Sequence, residues 1–179
     1  RKGTLGEHAT PALNAAKAKV FNTTSMLGHR MGIEPSPLAP ELSAWEVAAY
    51  RTMFERAGAT DLELSTIAVV DGELPAHVDD FDGYLVTGSA AGVYDDFDWI
   101  APLMEFLRSA HAADKPLVGV CFGHQVIAHA LGGCTEKWHD GWGLGVYEVT
   151  LDGVPSWIPS LEKVRLIHIH QDQVVTVPQ

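Results

Sequence analysis

Lys115-Pro116-Leu117-Val118-Gly119-Val120-Cys121-Phe122-Gly123-His124-Gln125-Val126-Ile127-Ala128-His129-Ala130-Leu131 is the stretch that decides how this chain folds. Leu117–Val120 reads as a short apolar strand, and Gln125–Leu131 has the make-up of a helix. Between them stands Gly-x-Cys-x-Gly, with one glycine two residues before the cysteine and one two residues after it. That is the layout of a nucleophile elbow, a tight strand-to-helix turn that presents a single side chain. The glycines keep Cβ atoms out of the crowded turn. The helix that follows directs its unpaired N–H groups and positive dipole end at the sulfur, which favours thiolate over thiol. Cys121 is therefore the candidate nucleophile, placed to attack a carbonyl.

Working outward, strands and helices alternate up to the elbow. Ala18–Thr24 reads as a weak first strand, and His29–Pro40, with Pro35, Pro37 and Pro40, as a loop. Glu41–Ala57 has helical spacing, with Leu42, Trp45, Tyr50, Met53 and Phe54 on a broad apolar face, and Gly58 marks its end. Leu62–Val70 and Phe81–Thr87 read as strands, and Asp98–Ala113 as a second amphipathic helix. Beyond Gly132-Gly133 the pattern changes to strands alone: Cys134–Trp138, Gly145–Leu151, Val164–His170 and Gln173–Val177. Alternation before the elbow predicts an α/β fold whose mostly parallel sheet has helices on both faces. The later strands predict an antiparallel extension. Arg1–Ala16 is small, polar and aperiodic, and we expect it to be a leader or extension outside the fold, which then spans residues 17–179.

Bulk properties narrow the function. The chain has 179 residues, enough for one domain with a substantial core. No apolar run is long enough to span a bilayer as a helix, so no membrane association is expected. The net charge of −11, without a basic stripe, argues against a nucleic-acid partner. Two cysteines, Cys121 and Cys134, make no disulfide framework and fit a reducing, cytoplasmic setting. No secretory h-region is visible near Arg1, and the lack of an initiating Met leads us to expect a longer gene product.

The elbow gains meaning from Tyr84-Leu85-Val86-Thr87-Gly88-Ser89, which ends an earlier strand in a Gly/Ser turn. Neighbouring strands of a parallel sheet end on one edge, where ligands bind. Backbone N–H groups of Gly88 and of Phe122 are thus candidates for an oxyanion hole, worth about a hundred- to a thousand-fold in rate per donor. Val86-Thr87-Gly88-Ser89, the Cys121 elbow and His170-Gln171-Asp172-Gln173-Val174 together resemble the class I (triad) glutamine amidotransferase family. The similarity is to its stand-alone members related to the GMP synthase amidotransferase domain, and it runs from about Lys19 to the C-terminus.

The resemblance implies a flavodoxin-like sheet, Cys121 as nucleophile, and Gly88 and Phe122 as the oxyanion hole. It further implies that Gln125, Gln171 and Asp172 line the pocket for the substrate's α-amino and α-carboxylate groups. The implied substrate is a small γ-glutamyl amide, with an ammonia-accepting synthase as partner and neither cofactor nor metal. The family's Gly-His-Pro-Glu segment, which carries the triad His and Glu, does not occur in this sequence. We therefore expect the domain to lack its C-terminal part here. Two alternatives stay open: a γ-glutamyl peptidase acting on glutathione-like conjugates, and a binding or regulatory module without catalysis. The PfpI-type proteases and chaperones share the elbow but fit the Gly88 and His-Gln-Asp motifs less well.

Other polar residues have simpler readings. His124 and His129 are expected to pack or face solvent. His168 and His170 alternate on one strand face, without the compact spacing of a zinc site. The acidic groups Asp79-Asp80-Asp82 and Asp95-Asp96-Asp98 are expected in solvated loops, with Asp95 or Asp96 complementing the dipole of the next helix. Trp138, Trp142 and the glycines from Gly141 to Gly145 are expected to form a turn beside the pocket.

Overall fold

A computed structural model describes residues 17–23, 39–150 and 163–179. The Arg1–Ala16 extension and nearly all of the expected His29–Pro40 loop lie outside the described residues. The elements in chain order are β1 (Lys17–Asn22), α1 (Ala39–Arg56), β2 (Glu63–Ala68), β3 (Gly83–Val86), α2 (Ile100–Ala112), β4 (Leu117–Gly119) and α3 (Phe122–Ala130). They are followed by β5 (Cys134–Lys137), β6 (Gly143–Thr150), β7 (Lys163–His170) and β8 (Asp172–Thr176). Every expected strand and helix among the described residues is present, with ends shifted by up to about three residues. One shift has a clear cause: α1 begins at Ala39 and not Glu41, because proline is tolerated in a first turn whose N–H groups have no helical acceptor.

β1 to β4 form one parallel sheet in the order β2-β1-β3-β4. Because side chains alternate along a strand, this sheet sorts its residues into two cores. Val20 and Leu85 face one side, where they pack with Ala59, Leu62 and Leu64 against Val47, Tyr50 and Phe54, the last three from α1. Phe21, Tyr84 and Val86 face the other side, against Leu103 and Leu107 of α2 and Phe122 and Val126 of α3. Phe21 stacks on Tyr84 at 5.3 Å and meets Phe106 edge-on at the same distance. The Tyr84 hydroxyl reaches out of this core to donate to the Val78 carbonyl at 2.9 Å. Helices therefore cover both faces, and the sheet's carboxyl edge is left to the loops that follow each strand.

The antiparallel extension consists of two separate two-stranded ladders, β5 with β8 and β6 with β7. β5 is launched from α3 by a tight reversal. Gly132 takes φ +95°, Gly133 N–H returns to the Ala128 carbonyl at 2.8 Å, and Gly132 N–H returns to His129. This is a Schellman closure, which needs a residue free to adopt the left-handed region. The β6–β7 ribbon pairs Leu144 with Ile169 and Val146 with Ile167, all four on one exposed face among the described residues.

The acidic groups do more than face water. Asp82 accepts the Lys17 N–H at 2.7 Å, Asp80 accepts the His77 N–H, and Asp79 pairs with Lys115 at 3.0 Å. Neither Asp95 nor Asp96 lies in the first turn of α2, whose N-cap is Trp99 with no side-chain cap. Asp95 instead turns back to accept the Gly92 N–H at 2.8 Å. The expected dipole role is corrected accordingly: a local loop bond outcompetes the helix terminus for that carboxylate.

Candidate active site

The elbow forms where β4 runs out. Val120 N–H donates to the Val86 carbonyl at 3.0 Å and carries the parallel ladder one step past the strand. Cys121 then takes φ 54° and ψ −111° as the N-cap of α3, and its carbonyl accepts the Gln125 N–H at 3.2 Å. For a residue with a Cβ this backbone costs about 1–3 kcal/mol, which the surrounding contacts must offset. Those contacts explain the two glycines. A Cβ on Gly119 would overlap the backbone of Gly123 and His124, and one on Gly123 would overlap the Val86 carbonyl. Neither glycine has a positive φ, so the requirement is close approach and not backbone freedom. The Cys121 side chain is exposed, and neither it nor Cys134 is joined in a disulfide.

Gly88 lies directly beside Cys121: a Cβ added there would come within 3.5 Å of Cys121 Cβ. Its peptide is held from two directions. The Thr87 carbonyl accepts the Gly123 N–H at 3.1 Å and the Thr23 hydroxyl at 3.2 Å, and the Thr23 hydroxyl also lies 2.7 Å from the Gly88 carbonyl. Thr23 and Thr87 are fully buried, and Thr23 N–H donates to Thr87 Oγ1 at 3.0 Å. In a planar trans peptide the Gly88 N–H points opposite to the pinned Thr87 carbonyl. Phe122 opens α3, where the helix offers its N–H no acceptor. Its ring is fully buried and packs 5.5 Å from Trp99. The buried ring anchors the first turn behind the sulfur.

The remaining expected site residues meet at the β7–β8 corner. Gln125 is only 4% exposed, and its Nε2 donates to the Asp172 carbonyl at 2.9 Å. His170 Nδ1 lies 3.0 Å from the same carbonyl. Since a carbonyl only accepts, Nδ1 is the donor in this contact. Asp172 Oδ1 accepts the Tyr94 hydroxyl at 2.9 Å. Gln171 turns the other way: its Nε2 donates to the Trp138 carbonyl at 3.3 Å, and its own carbonyl accepts the Trp138 N–H. The structure thus brings Cys121, Phe122 and Gly88 together. Gln125 and Asp172 are joined to each other, and Gln171 braces the turn at Trp138–Gly141.

Sequence reasoning missed Tyr94 and Thr23. Tyr94 is separated from Asp172 by 78 positions, and no periodicity joins them. Thr23 left a faint signal, a small polar residue at the end of an apolar strand.

His124 sits in the first turn of α3. Protein atoms around its ring and the nearby His170 together lower its pKa below the ordinary 6.5. A depressed histidine pKa means the unfolded state binds the proton more readily. The stabilisation from neutral His124 is complete above about 6.5 and is lost as pH falls toward the folded-state value. We expect His124→Gln to flatten the loss of melting temperature between pH 7.5 and pH 5. Melting curves for the two proteins that stay parallel across this range would refute the assignment.

No group of three His, Cys, Asp or Glu side chains converges as a metal site among the described residues. A cavity of about 280 Å³ is lined by Val69, Asp71, Leu74, Asp98, Trp99 and Pro102, among others, and lies apart from Cys121 and Gly88. No helix among the described residues is long and apolar enough to cross a membrane.

The chain is 31% identical over 125 residues to gamma-glutamyl peptidase 4 of Arabidopsis thaliana, covering 62% of this chain and 47% of that protein. It is 33% identical over 122 residues to one component chain of the glutamine-hydrolysing GMP synthase of Halobacterium salinarum, covering 66% of this chain and 60% of that one. The chain thus spans about half the length of the first of these relatives. A solved glutamine amidotransferase from Thermotoga maritima superposes with a TM-score of 0.66 over 92% of this chain and 64% of its own length, at 14% identity. The parallel sheet with its antiparallel ladders is the flavodoxin-like fold of that neighbour. Residues 51–179 match the sequence profile of the family described as Glutamine amidotransferase class-I. On that match, joined to the fold, this chain belongs to the class-I glutamine amidotransferase family.

Proposed function

We propose that the protein hydrolyses a γ-glutamyl amide bond, with Cys121 as nucleophile. The observation that carries this reading is the Cys121 backbone, φ 54° and ψ −111°, held between β4 and α3 with Gly88 alongside. In this reading the Cys121 thiolate attacks the γ-carbonyl carbon, and the Gly88 and Phe122 N–H groups receive the developing oxyanion. The C–N bond breaks, the amine leaves with an added proton, and a γ-glutamyl thioester remains. Water then attacks that thioester, the C–S bond breaks, and glutamate and the free thiol are released. Asp172 is assigned to the α-amino end of the substrate, and Gln171, whose amide is held by the Trp138 carbonyl, supports the turn beside it. Gln125 serves that end indirectly, through the Asp172 carbonyl it holds.

Two leaving groups fit the chemistry. Ammonia leaves if the substrate is glutamine, and an ammonia-accepting synthase would then be the partner, in a cytoplasmic setting. An amino acid or peptide leaves if the substrate is a γ-glutamyl peptide, and the 31% identity to a protein named as a gamma-glutamyl peptidase favours this version. The test uses the complete product of the reading frame that contains this sequence. Ammonia release from L-glutamine is measured beside amine release from γ-glutamyl dipeptides and glutathione conjugates. Turnover of either class, dependent on Cys121, supports the proposal. Inertness toward both leaves the binding or regulatory module as the better reading.

A further inference from the structure

We propose that Tyr94 is a positioning residue for γ-glutamyl substrates, its hydroxyl setting the Asp172 carboxylate to receive the substrate's α-ammonium group. The inference rests on the assignment of Asp172 to that end of the substrate. Three bonds immobilise Asp172. Its carbonyl takes donors from Gln125 at 2.9 Å and from His170 at 3.0 Å, which fixes the backbone at the start of β8. Its Oδ1 accepts the Tyr94 hydroxyl at 2.9 Å, which fixes the rotation of the carboxylate. Among the described residues Oδ2 has no hydrogen-bond donor. A carboxylate can only accept, so the group it suits is a cationic donor; the substrate's α-carboxylate would be repelled.

The identity of the orienting group matters. A lysine or arginine beside Asp172 would cancel the charge that attracts an ammonium, whereas a phenol orients the carboxylate and leaves it anionic. Tyr94 reaches it from the loop after β3, the same loop that carries Gly88. Gly92 makes the approach possible: a Cβ there would press to 2.9 Å from the Tyr94 ring and 3.2 Å from Asp172 Oδ2. The loop is further held by the Gly92–Asp95 bonds and by Ala91 N–H donating to Ser89 Oγ. One loop thus serves both ends of the substrate, the reacting carbonyl through Gly88 and the amino end through Tyr94.

The experiment compares L-glutamine with glutaramate, the same molecule without its α-ammonium group. Binding of both is measured by calorimetry on a Cys121→Ala protein, which cannot turn them over, with and without Tyr94→Phe. Loss of the hydroxyl is expected to weaken glutamine binding roughly three- to tenfold and to leave glutaramate unchanged. Asp172→Asn should abolish the preference between the two ligands. In the catalytic protein, Tyr94→Phe should raise KM by a similar factor with kcat within about twofold. Equal weakening of both ligands, or unchanged glutamine binding, would overturn the proposal. A protein that prefers glutamine in a Tyr94-dependent way but hydrolyses nothing would end the hydrolytic reading and keep this one. A protein that binds neither ligand would end both.

Discussion

Replacing Cys121 with Ser is expected to lower γ-glutamyl amide hydrolysis by roughly ten-thousand-fold or more, with little change in stability. The substitution is nearly isosteric and keeps the same strained backbone, so the turn itself is not relieved or worsened. What changes is the nucleophile. A serine hydroxyl has no meaningful ionised fraction near neutral pH, while a thiol at a helix N-terminus is drawn toward the thiolate. A chloroketone analogue of glutamine should add one label per wild-type chain and none to the Ser variant. Cys134 is the internal control. Partial burial, and then the Glu136 carboxylate 3.5 Å from its sulfur, raise its pKa and leave it the poorer nucleophile. Activity of the Ser variant within tenfold of wild type, or labelling at Cys134, would remove Cys121 from the reaction.

Gly123→Ala is expected to be among the most destabilising single-methyl additions in the molecule, at about 3 kcal/mol or more. Helix propensity alone argues the other way, since alanine is favoured over glycine by about 1 kcal/mol in a helix. Packing decides the sign. The added Cβ would overlap the Val86 carbonyl, a backbone atom of a buried strand that cannot swing aside. α3 would have to lift from β3, breaking the Gly123 to Thr87 bond and moving Gly88 away from Cys121. Denaturant unfolding should show a much lower midpoint with an unchanged slope. An unshifted midpoint would mean that α3 does not sit this close to β3.

The elbow was legible because its spacing is local. Gly119, Cys121 and Gly123 lie within five residues, and the physical demand on each comes from its immediate neighbours. The pairing of Gly88 with Cys121 was legible for a different reason. β3 and β4 are parallel neighbours, so their ends fall on one edge whatever the side chains do. Side-chain partners across long separations were not legible. Gln125 was expected to line the pocket, but its bond to the Asp172 carbonyl was not foreseen, because it depends on where β8 returns, which periodicity does not encode. Tyr94 was hidden for the same reason. The acidic groups lie in exposed loops as expected, and only the dipole role of Asp95 or Asp96 fails, because a run of aspartates looks the same whether or not a carboxylate turns back to a loop N–H group.

The Thr23 latch bears on the order in which this molecule assembles. The turn at Thr87–Gly88 owes its shape to a hydroxyl 64 residues upstream and to a helix that follows a later strand. Closing such long loops is entropically slow and is rewarded only once the parallel strands are side by side. The turn can therefore take its final shape only after β1, β3 and β4 have docked. Folding intermediates that retain separate helices or hairpins would carry Cys121 on a relaxed backbone, with no neighbouring turn. The juxtaposition of Cys121 and Gly88 is in that sense a product of completed folding, set only when β1, β3 and β4 lie side by side.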